Sequence, residues 1–157
     1  MEIERKFLVS RIPDALQKFP CVRMEQAYIS TDPLIRIRRA GEHCILTCKG
    51  RGLLSREEFE LDMTPEAYER LSAKADGVRI VKDRYKIPLG DYAAELDIFA
   101  PPLAPLVLVE VEFPTEDAAK NFEPPDWFGR EVTYDAAYTN AALSQYGLPN
   151  AAPLQAD

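Results

Sequence analysis

Side chains along most of this chain alternate with a period of two, and one of the two faces is heavily charged. Residues 2–8 set Glu2, Glu4 and Lys6 on one side and Ile3, Arg5 and Phe7 on the other. Arg36 and Arg38 oppose Ile35 and Ile37, and Thr47 and Lys49 oppose Cys44, Leu46 and Cys48. Glu58, Glu60 and Asp62 oppose Phe59 and Leu61. Further along come Lys82, Arg84 and Lys86, then Glu95 with Asp97, then Glu110 with Glu112. Successive residues of a strand point to opposite faces, so the pattern predicts strands and not helices. With Cys21 to Ser30 included it predicts roughly eight of them.

Turn residues punctuate the strands at Asp32-Pro33, Ala40-Gly41-Glu42, Gly50-Arg51-Gly52, Gly90-Asp91 and Pro101-Pro102. Thr64 as N-cap and Pro65 at the first helical position open a helix that reaches to about Ala75. Ile12 to Phe19 is a second short helix candidate. A third begins near Thr133 or Tyr134, runs to about Gln145 and is stopped by Gly147 and Pro149. A chain of 157 residues is long enough for one domain with its own core. We place that domain at 1–146, followed by a short tail at 147–157 whose last eight residues, Asn150 to Asp157, fray.

Charge rows of this kind have two explanations. In one, each sheet face is simply solvated, the usual fate of charged residues. Here, however, the signs segregate by strand: acids at Glu2, Glu4, Glu95, Asp97, Glu110 and Glu112, bases at Arg36, Arg38, Lys49, Lys82 and Arg84. Like charges two residues apart on one face repel, and a solvated surface has no need to repeat that arrangement. A closed eight-stranded antiparallel β-barrel with a polar bore and a few flanking helices accounts for it, with acids gathered on metal ions and bases on an anion.

The chemistry follows from the residue types. Two carboxylates two positions apart on a strand lie about 7 Å apart on one side, close enough to grip or bracket a cation. Mg²⁺ and Mn²⁺ take oxygen ligands and keep several waters, so a few carboxylates suffice. Zinc is disfavoured, since the single histidine, His43, falls near a turn and reads as solvated. A triphosphate carries roughly four to five negative charges, and phosphoryl transfer depends on positioning and charge neutralisation. Arg36 and Arg38 offer planar forks; Lys6, Lys49 and Lys82 act as point charges. Glu2, Glu4, Glu110 and Glu112 would hold a divalent metal bridging phosphate oxygens, and a second metal would acidify the attacking water. The chain lacks a phosphate loop, a dinucleotide fingerprint, a nucleophile elbow and a Cys/His couple in a catalytic context.

Composition limits the partners. With 26 acids against 19 bases the net charge is −7, which disfavours nucleic acid as a partner. No apolar run approaches the roughly 18 residues of a membrane span, and MEIERKFLV is not laid out as a signal peptide. Cys21, Cys44 and Cys48 are odd in number and lack C-x-x-C spacing, as in the reduced thiols of a cytoplasmic protein. The expected partner is a small-molecule triphosphate; a homodimer is left open.

The opening Glu2-Ile3-Glu4-Arg5-Lys6-Phe7-Leu8-Val9 resembles the E-x-E-x-K signature of the CYTH, or triphosphate tunnel metalloenzyme, superfamily. The resemblance continues through Arg36-Ile37-Arg38, Leu46-Thr47-Cys48-Lys49-Gly50, Lys82-Asp83-Arg84-Tyr85, Glu95-Leu96-Asp97 and Glu110-Val111-Glu112. It ends with Trp127-Phe128-Gly129-Arg130-Glu131-Val132-Thr133 and Tyr138-Thr139-Asn140. It implies an eight-stranded tunnel, acids on Mg²⁺ or Mn²⁺, bases on a triphosphate, and a last helix that plugs or flanks one mouth. The ERKFLV opening is most similar to small bacterial inorganic triphosphatases. One departure is Ala137, where members often carry a base, and Arg130 is the nearest replacement.

Tripolyphosphate hydrolysis to pyrophosphate and phosphate needs only this charge lattice. The alternatives are a nucleoside or thiamine triphosphatase or an adenylate cyclase, which need a pocket for a ring, and a non-catalytic polyphosphate-binding module, which would dispense with the carboxylates. Trp127 reads as a core residue packing the last helix. On the second strand Gln26, Tyr28 and Ser30 share the inner face, and the short connection at 10–20 predicts that the first strand is its neighbour. Lys6 would then lower the Tyr28 pKa and recruit it as a general base; otherwise Tyr28 only donates a hydrogen bond to phosphate.

Overall fold

The structure is a computed structural model and describes residues 3–50 and 57–149. Glu2, Arg51 and Gly52 of the third turn, and the tail from Asn150 to Asp157 lie outside the described residues. The strands are β1 (Ile3–Val9), β2 (Cys21–Thr31), β3 (Leu34–Ala40), β4 (His43–Lys49) and β5 (Glu58–Met63), then β6 (Asp76–Leu89), β7 (Tyr92–Phe99), β8 (Val107–Phe113) and β9 (Phe128–Glu131). The helices are α1 (Pro65–Ser72), α2 (Glu116–Asn121) and α3 (Asn140–Tyr146), with single 3₁₀ turns at Leu16–Lys18 and Ala136–Tyr138.

The fold is mainly β with a few helices, as the periodicity predicts, but it is not a closed eight-stranded barrel. All nine strands form one antiparallel sheet in the order β5-β4-β3-β2-β6-β7-β8-β1-β9. Its ends, β5 and β9, do not pair with each other among the described residues. The extra strand, β9, is four residues long and joins β1 at Phe7 and Val9 across a bulge. At that bulge Gly129 lies so close that a Cβ would sit 3.3 Å from the Leu8 carbonyl oxygen.

Nor is β1 beside β2. It lies between β8 and β9, while β2 lies between β3 and β6. The chain after β1 crosses the outer face instead: Leu16 and Phe19 pack against the core there, and the Pro20 carbonyl accepts from Lys86 N on β6. Burying two apolar side chains during the crossing outweighs the convenience of a short hairpin.

Each face of the sheet has its own filling. On the outer face Phe7, Val9, Ile87, Leu96, Val109, Val111 and Phe113 pack with Trp127, Phe128 and Ala119 of α2. Trp127 is therefore buried, but against the outer face and not against α3. Ala27, Ile37 and Cys44 form a second outer cluster under Tyr68 of α1. The inner face is apolar in one half, where Leu8, Tyr28, Ile80, Phe99 and Leu108 meet Tyr138 and Leu143. Those five residues come from five consecutive strands of the sheet, roofed by α3.

Capping sets the helix starts. Thr64 Oγ1 accepts from Ala67 N at 3.1 Å, as its N-cap reading requires, and α1 ends at Ser72. Thr139 caps α3 the same way, so the last helix starts at Asn140 and not near Thr133. The candidate helix at 12–19 is only the Leu16–Lys18 turn. Among the described residues no helix is long and apolar enough to cross a membrane.

The seat of α3 yields a test. Ser144 Oγ donates to the Val78 carbonyl at 2.7 Å, and Gly77, at φ +74°, is pressed so near Ser144 that a Cβ would collide with its backbone carbonyl. Gly90 has φ +60° with nothing within 4 Å of a Cβ. Gly90→Ala should cost only the backbone strain of about 1–2 kcal/mol, whereas Gly77→Ala should cost more because α3 must also move. Equal losses of stability on thermal denaturation would contradict this account of the contact.

Candidate active site

Strand register assembles the inner face from charged residues. On the acidic side Glu4 lies opposite Glu112, Lys6 opposite Glu110, and Glu110 opposite Glu95. On the basic side β2 separates two basic strands: Arg36 lies opposite Tyr28, Arg38 opposite Gln26, and Lys82 opposite Met24. Lys49 follows Thr47 by alternation at the far end and pairs with Glu58. Acids thus occupy the adjoining strands β1, β8 and β7, and bases occupy β6 and β3.

The seam between the two sides is a buried ion cluster. Arg84 Nε and Nη2 donate to the two Asp97 oxygens at 2.7 and 2.9 Å, and Arg84 Nη1 reaches Glu95 at 3.1 Å. Lys82 Nζ is 2.8 Å from Asp97 Oδ2, with both side chains only 1% exposed. The ammonium also faces the Phe99 ring at 5.3 Å. Asp97, expected among the metal ligands, therefore has both oxygens committed to bases. Burial pushes the Asp97 carboxyl up, but Lys82 and Arg84 pull harder and hold it below the usual range. Burial lowers the Lys82 pKa, with Asp97 opposing. Burial works against the Arg84 charge as well, and the bonds to Asp97 overcome it, leaving the guanidinium firmly protonated.

Around Arg38 the donors outnumber the acceptors. Arg38 Nε donates to Gln26 Oε1 at 3.3 Å, and burial, Arg36 and Arg84 all lower its pKa. Gln26 Nε2 and Arg36 Nε are buried without a hydrogen-bond partner. Buried donors are almost always paired, so two orphans beside a guanidinium describe a place shaped for an anion.

The acidic side sets like charges against each other. Glutamates directly opposite across β1/β8 and β8/β7 repel, and Lys6 Nζ, at 3.6 Å from Glu110, and Arg84 Nη1, at 3.1 Å from Glu95, offset part of that charge. No three Asp, Glu, His or Cys side chains converge as a ready-made metal cage among the described residues, and Glu2 lies outside them. The all-oxygen donor set nonetheless fits a hard divalent cation, which needs one or two carboxylates and takes substrate oxygens for the rest.

Tyr28 departs from expectation. Because β1 and β2 are not neighbours, its charged neighbours are Arg36 and Arg38. Burial among Ile80 and Leu143 raises its pKa more than those arginines lower it. Lys6 Nζ instead donates to the Tyr138 carbonyl at 3.2 Å. Arg130, the nearest replacement for a base at position 137, stacks on Tyr138 at 5.8 Å and lies 3.9 Å from Asp135. His43 is exposed near Asp62, and all three cysteines are free. Gln26 appears in the sequence only as a residue sharing a face with Tyr28, and its burial depends on register that no local pattern shows.

Asp97→Asn should destabilise the protein by about 3–5 kcal/mol at neutral pH, since it leaves two buried cations without their carboxylate. A depressed folded-state pKa stabilises fully above the ordinary Asp value near 3.9 and less as pH falls through the folded value. The gap between parent and variant in urea titrations should therefore close in acid. A gap independent of pH would refute the pairing.

The comparisons with known proteins agree with this geometry. A CYTH domain matches residues 1–134. An inorganic triphosphatase of Nitrosomonas europaea is 46% identical over 148 residues, covering 91% of this chain and 96% of the relative. An inorganic triphosphatase of Acetivibrio thermocellus is 37% identical over 145 residues, covering 90% and 92%. A crystal structure of an inorganic triphosphatase superposes with a TM-score of 0.77 at 42% identity, covering 92% of this chain and 94% of the other. With strands, charge rows and signature residues in family order, this chain belongs to the CYTH domain family.

Proposed function

We propose that the protein is an inorganic triphosphatase that hydrolyses tripolyphosphate to pyrophosphate and phosphate with a divalent cation, Mg²⁺ or Mn²⁺. The observation that carries this reading is the pair of orphaned buried donors, Gln26 Nε2 and Arg36 Nε, beside Arg38 on the face of the sheet that also carries the opposed glutamates. The names of the two curated relatives support it.

Arg36, Arg38, Lys82 and Arg84 bind and align the phosphate chain, with Lys49 at the far end and Lys6 at the acidic side. Glu4, Glu110 and Glu112, with Glu95 beside them and Glu2 preceding them in sequence, would hold the cation. Bound there, a divalent ion supplies charge neutralisation and a more acidic water. Water attacks the terminal phosphorus in line, the bond to the bridging oxygen breaks, and pyrophosphate leaves with the electron pair. Asp97 acts behind the bases as their anchor. With its pKa raised, Tyr28 holds its proton at neutral pH and donates it in a hydrogen bond to a phosphate oxygen.

Phosphate release from tripolyphosphate, pyrophosphate, ATP and thiamine triphosphate, each with Mg²⁺ and with Mn²⁺, tests the activity directly. Tripolyphosphate should be preferred, and metal-free enzyme should be inactive. Preference for ATP or thiamine triphosphate would replace this reading. Arg38→Ala should lower kcat/KM by at least about tenfold, and Arg38→Lys should recover part of it, because an ammonium lacks the planar fork. Full recovery with lysine would count against that role.

Tyr28→Phe discriminates between donor and base. As a donor, Tyr28 contributes an interaction whose loss lowers kcat modestly while the alkaline limb of the pH–rate profile keeps its midpoint. A shifted or vanished limb would restore the general-base role.

A further inference from the structure

On the face of β1 opposite Glu4 and Lys6, Arg5 makes more contacts than a surface arginine needs. Its Nε and Nη2 donate to the two Glu131 carboxylate oxygens at 2.9 and 2.7 Å. Its Nη1 donates to the Ala119 and Phe122 carbonyls at 2.8 and 3.1 Å, binding the end of α2. The guanidinium lies 5.1 Å from the Phe7 ring centre and 5.9 Å from that of Phe122. Glu131 passes the connection on. Its Oε2 accepts from Thr133 Oγ1 at 2.6 Å, and Thr133 Oγ1 in turn accepts from the backbone N–H of Lys6 at 3.0 Å. The Lys6 carbonyl is held by Val132 N at 2.8 Å.

Both backbone polar groups of Lys6 are thus tied to the segment after β9, although the β1/β9 ladder itself reaches only Phe7 and Val9. The printed β1/β9 pairs stop at Phe7, one residue short of Lys6. The Arg5–Glu131–Thr133 chain continues the attachment of β1 beyond that point. The Arg5 fork is rigid and bidentate, and the bond to Arg5 leads the effects that hold the Glu131 carboxyl below its usual range.

We propose that Arg5, Glu131 and Thr133 are positioning residues that fix the first half of β1, and through it the height of Glu4 and Lys6 on the inner face. The clamp touches neither substrate nor metal. It acts as outer partners act on ligands elsewhere, by restricting where a carboxylate can point, and losing such partners costs roughly 10–100-fold in metal affinity or activity. This inference rests on the triphosphatase reading and adds residues to it from the opposite side of the sheet.

The test uses Glu131→Gln, Thr133→Val and Thr133→Ser. Mn²⁺ binding to each protein without substrate is followed by electron paramagnetic resonance, alongside kcat and KM for tripolyphosphate and the thermal midpoint. Glu131→Gln and Thr133→Val should each weaken Mn²⁺ binding and lower kcat by about tenfold. KM should change less than kcat, since Lys6 is the one phosphate-binding base that the clamp positions, while Arg36, Arg38, Lys82 and Arg84 stand on strands that it does not touch. Thr133→Ser, which keeps the hydroxyl, should restore both Mn²⁺ binding and kcat. Parent-like Mn²⁺ binding in both Glu131→Gln and Thr133→Val would overturn the proposal, as would a lowered melting point with kcat and Mn²⁺ binding intact. If Glu131→Gln does not fold, the Thr133 pair decides, because it differs in one hydroxyl. A parent protein that neither binds Mn²⁺ nor cleaves tripolyphosphate would overturn the underlying function, and this inference with it.

Discussion

The Asp97 carboxylate is what allows the inner face to carry buried cations at all. Lys82 is 1% exposed, and Arg84 follows it by two residues on the same face of β6. Left to themselves, two cations so placed would repel, and burial would drive the lysine toward its neutral form. One carboxylate with both oxygens engaged opposes each effect, and it does so from β7, the strand next to β6. Arg84 keeps its charge and a fixed direction with one donor retained for Glu95, while at Lys82 burial still outweighs the pull of Asp97. An anion arriving at such a site meets donors already in place, which is the condition under which electrostatic stabilisation is strongest.

The division of the inner face into a charged half and an apolar half follows from where α3 lies. Leu143 and Tyr138 fill the space above Leu8, Ile80, Phe99 and Leu108, and the close fit of Gly77 against Ser144 seats the helix there. An apolar wall beside the ion cluster lowers the local dielectric and strengthens each charge interaction near it. Tyr28 sits on the boundary, packed in the apolar cluster while paired across the ladder with Arg36. Its raised pKa is a consequence of that position, and so is its suitability as a proton-bearing donor.

Much of the fold was legible because period-two charge rows can hardly be anything but strands, and the capping threonine at Thr64 has a local chemistry of its own. Strand order was not. A connection of the length of residues 10–20 suits a neighbour or a crossing equally, and the choice falls to Leu16 and Phe19, whose burial depends on a surface made by other strands. The ninth strand, Phe-Gly-Arg-Glu, is too short to show a period, and its pairing and bulge are matters of backbone geometry. In the sequence Asp97 looked like the other acids. Only the register that sets it opposite Arg84 gives it a different task. The Arg5–Glu131–Thr133 chain was likewise invisible, since it joins positions more than a hundred residues apart through a strand whose existence the pattern did not reveal.

The two sides of the inner face treat like charges differently. On the basic side β2 contributes only Met24, Gln26 and Tyr28 between Lys82 on β6 and the arginines of β3, so no base faces another across a ladder. On the acidic side no such spacer exists, and glutamate stands opposite glutamate twice, at Glu4 with Glu112 and at Glu95 with Glu110. Lys6 beside Glu110 and Arg84 beside Glu95 offset part of that repulsion, so the acidic side depends on ion pairs where the basic side depends on spacing. The protein's net charge of −7 sharpens the point. Long-range attraction does not draw a polyanion to such a surface, so an anion there is held by short-range contacts. Opposed glutamates on one side and insulated bases on the other divide the inner face by charge, and the register alone produces that division.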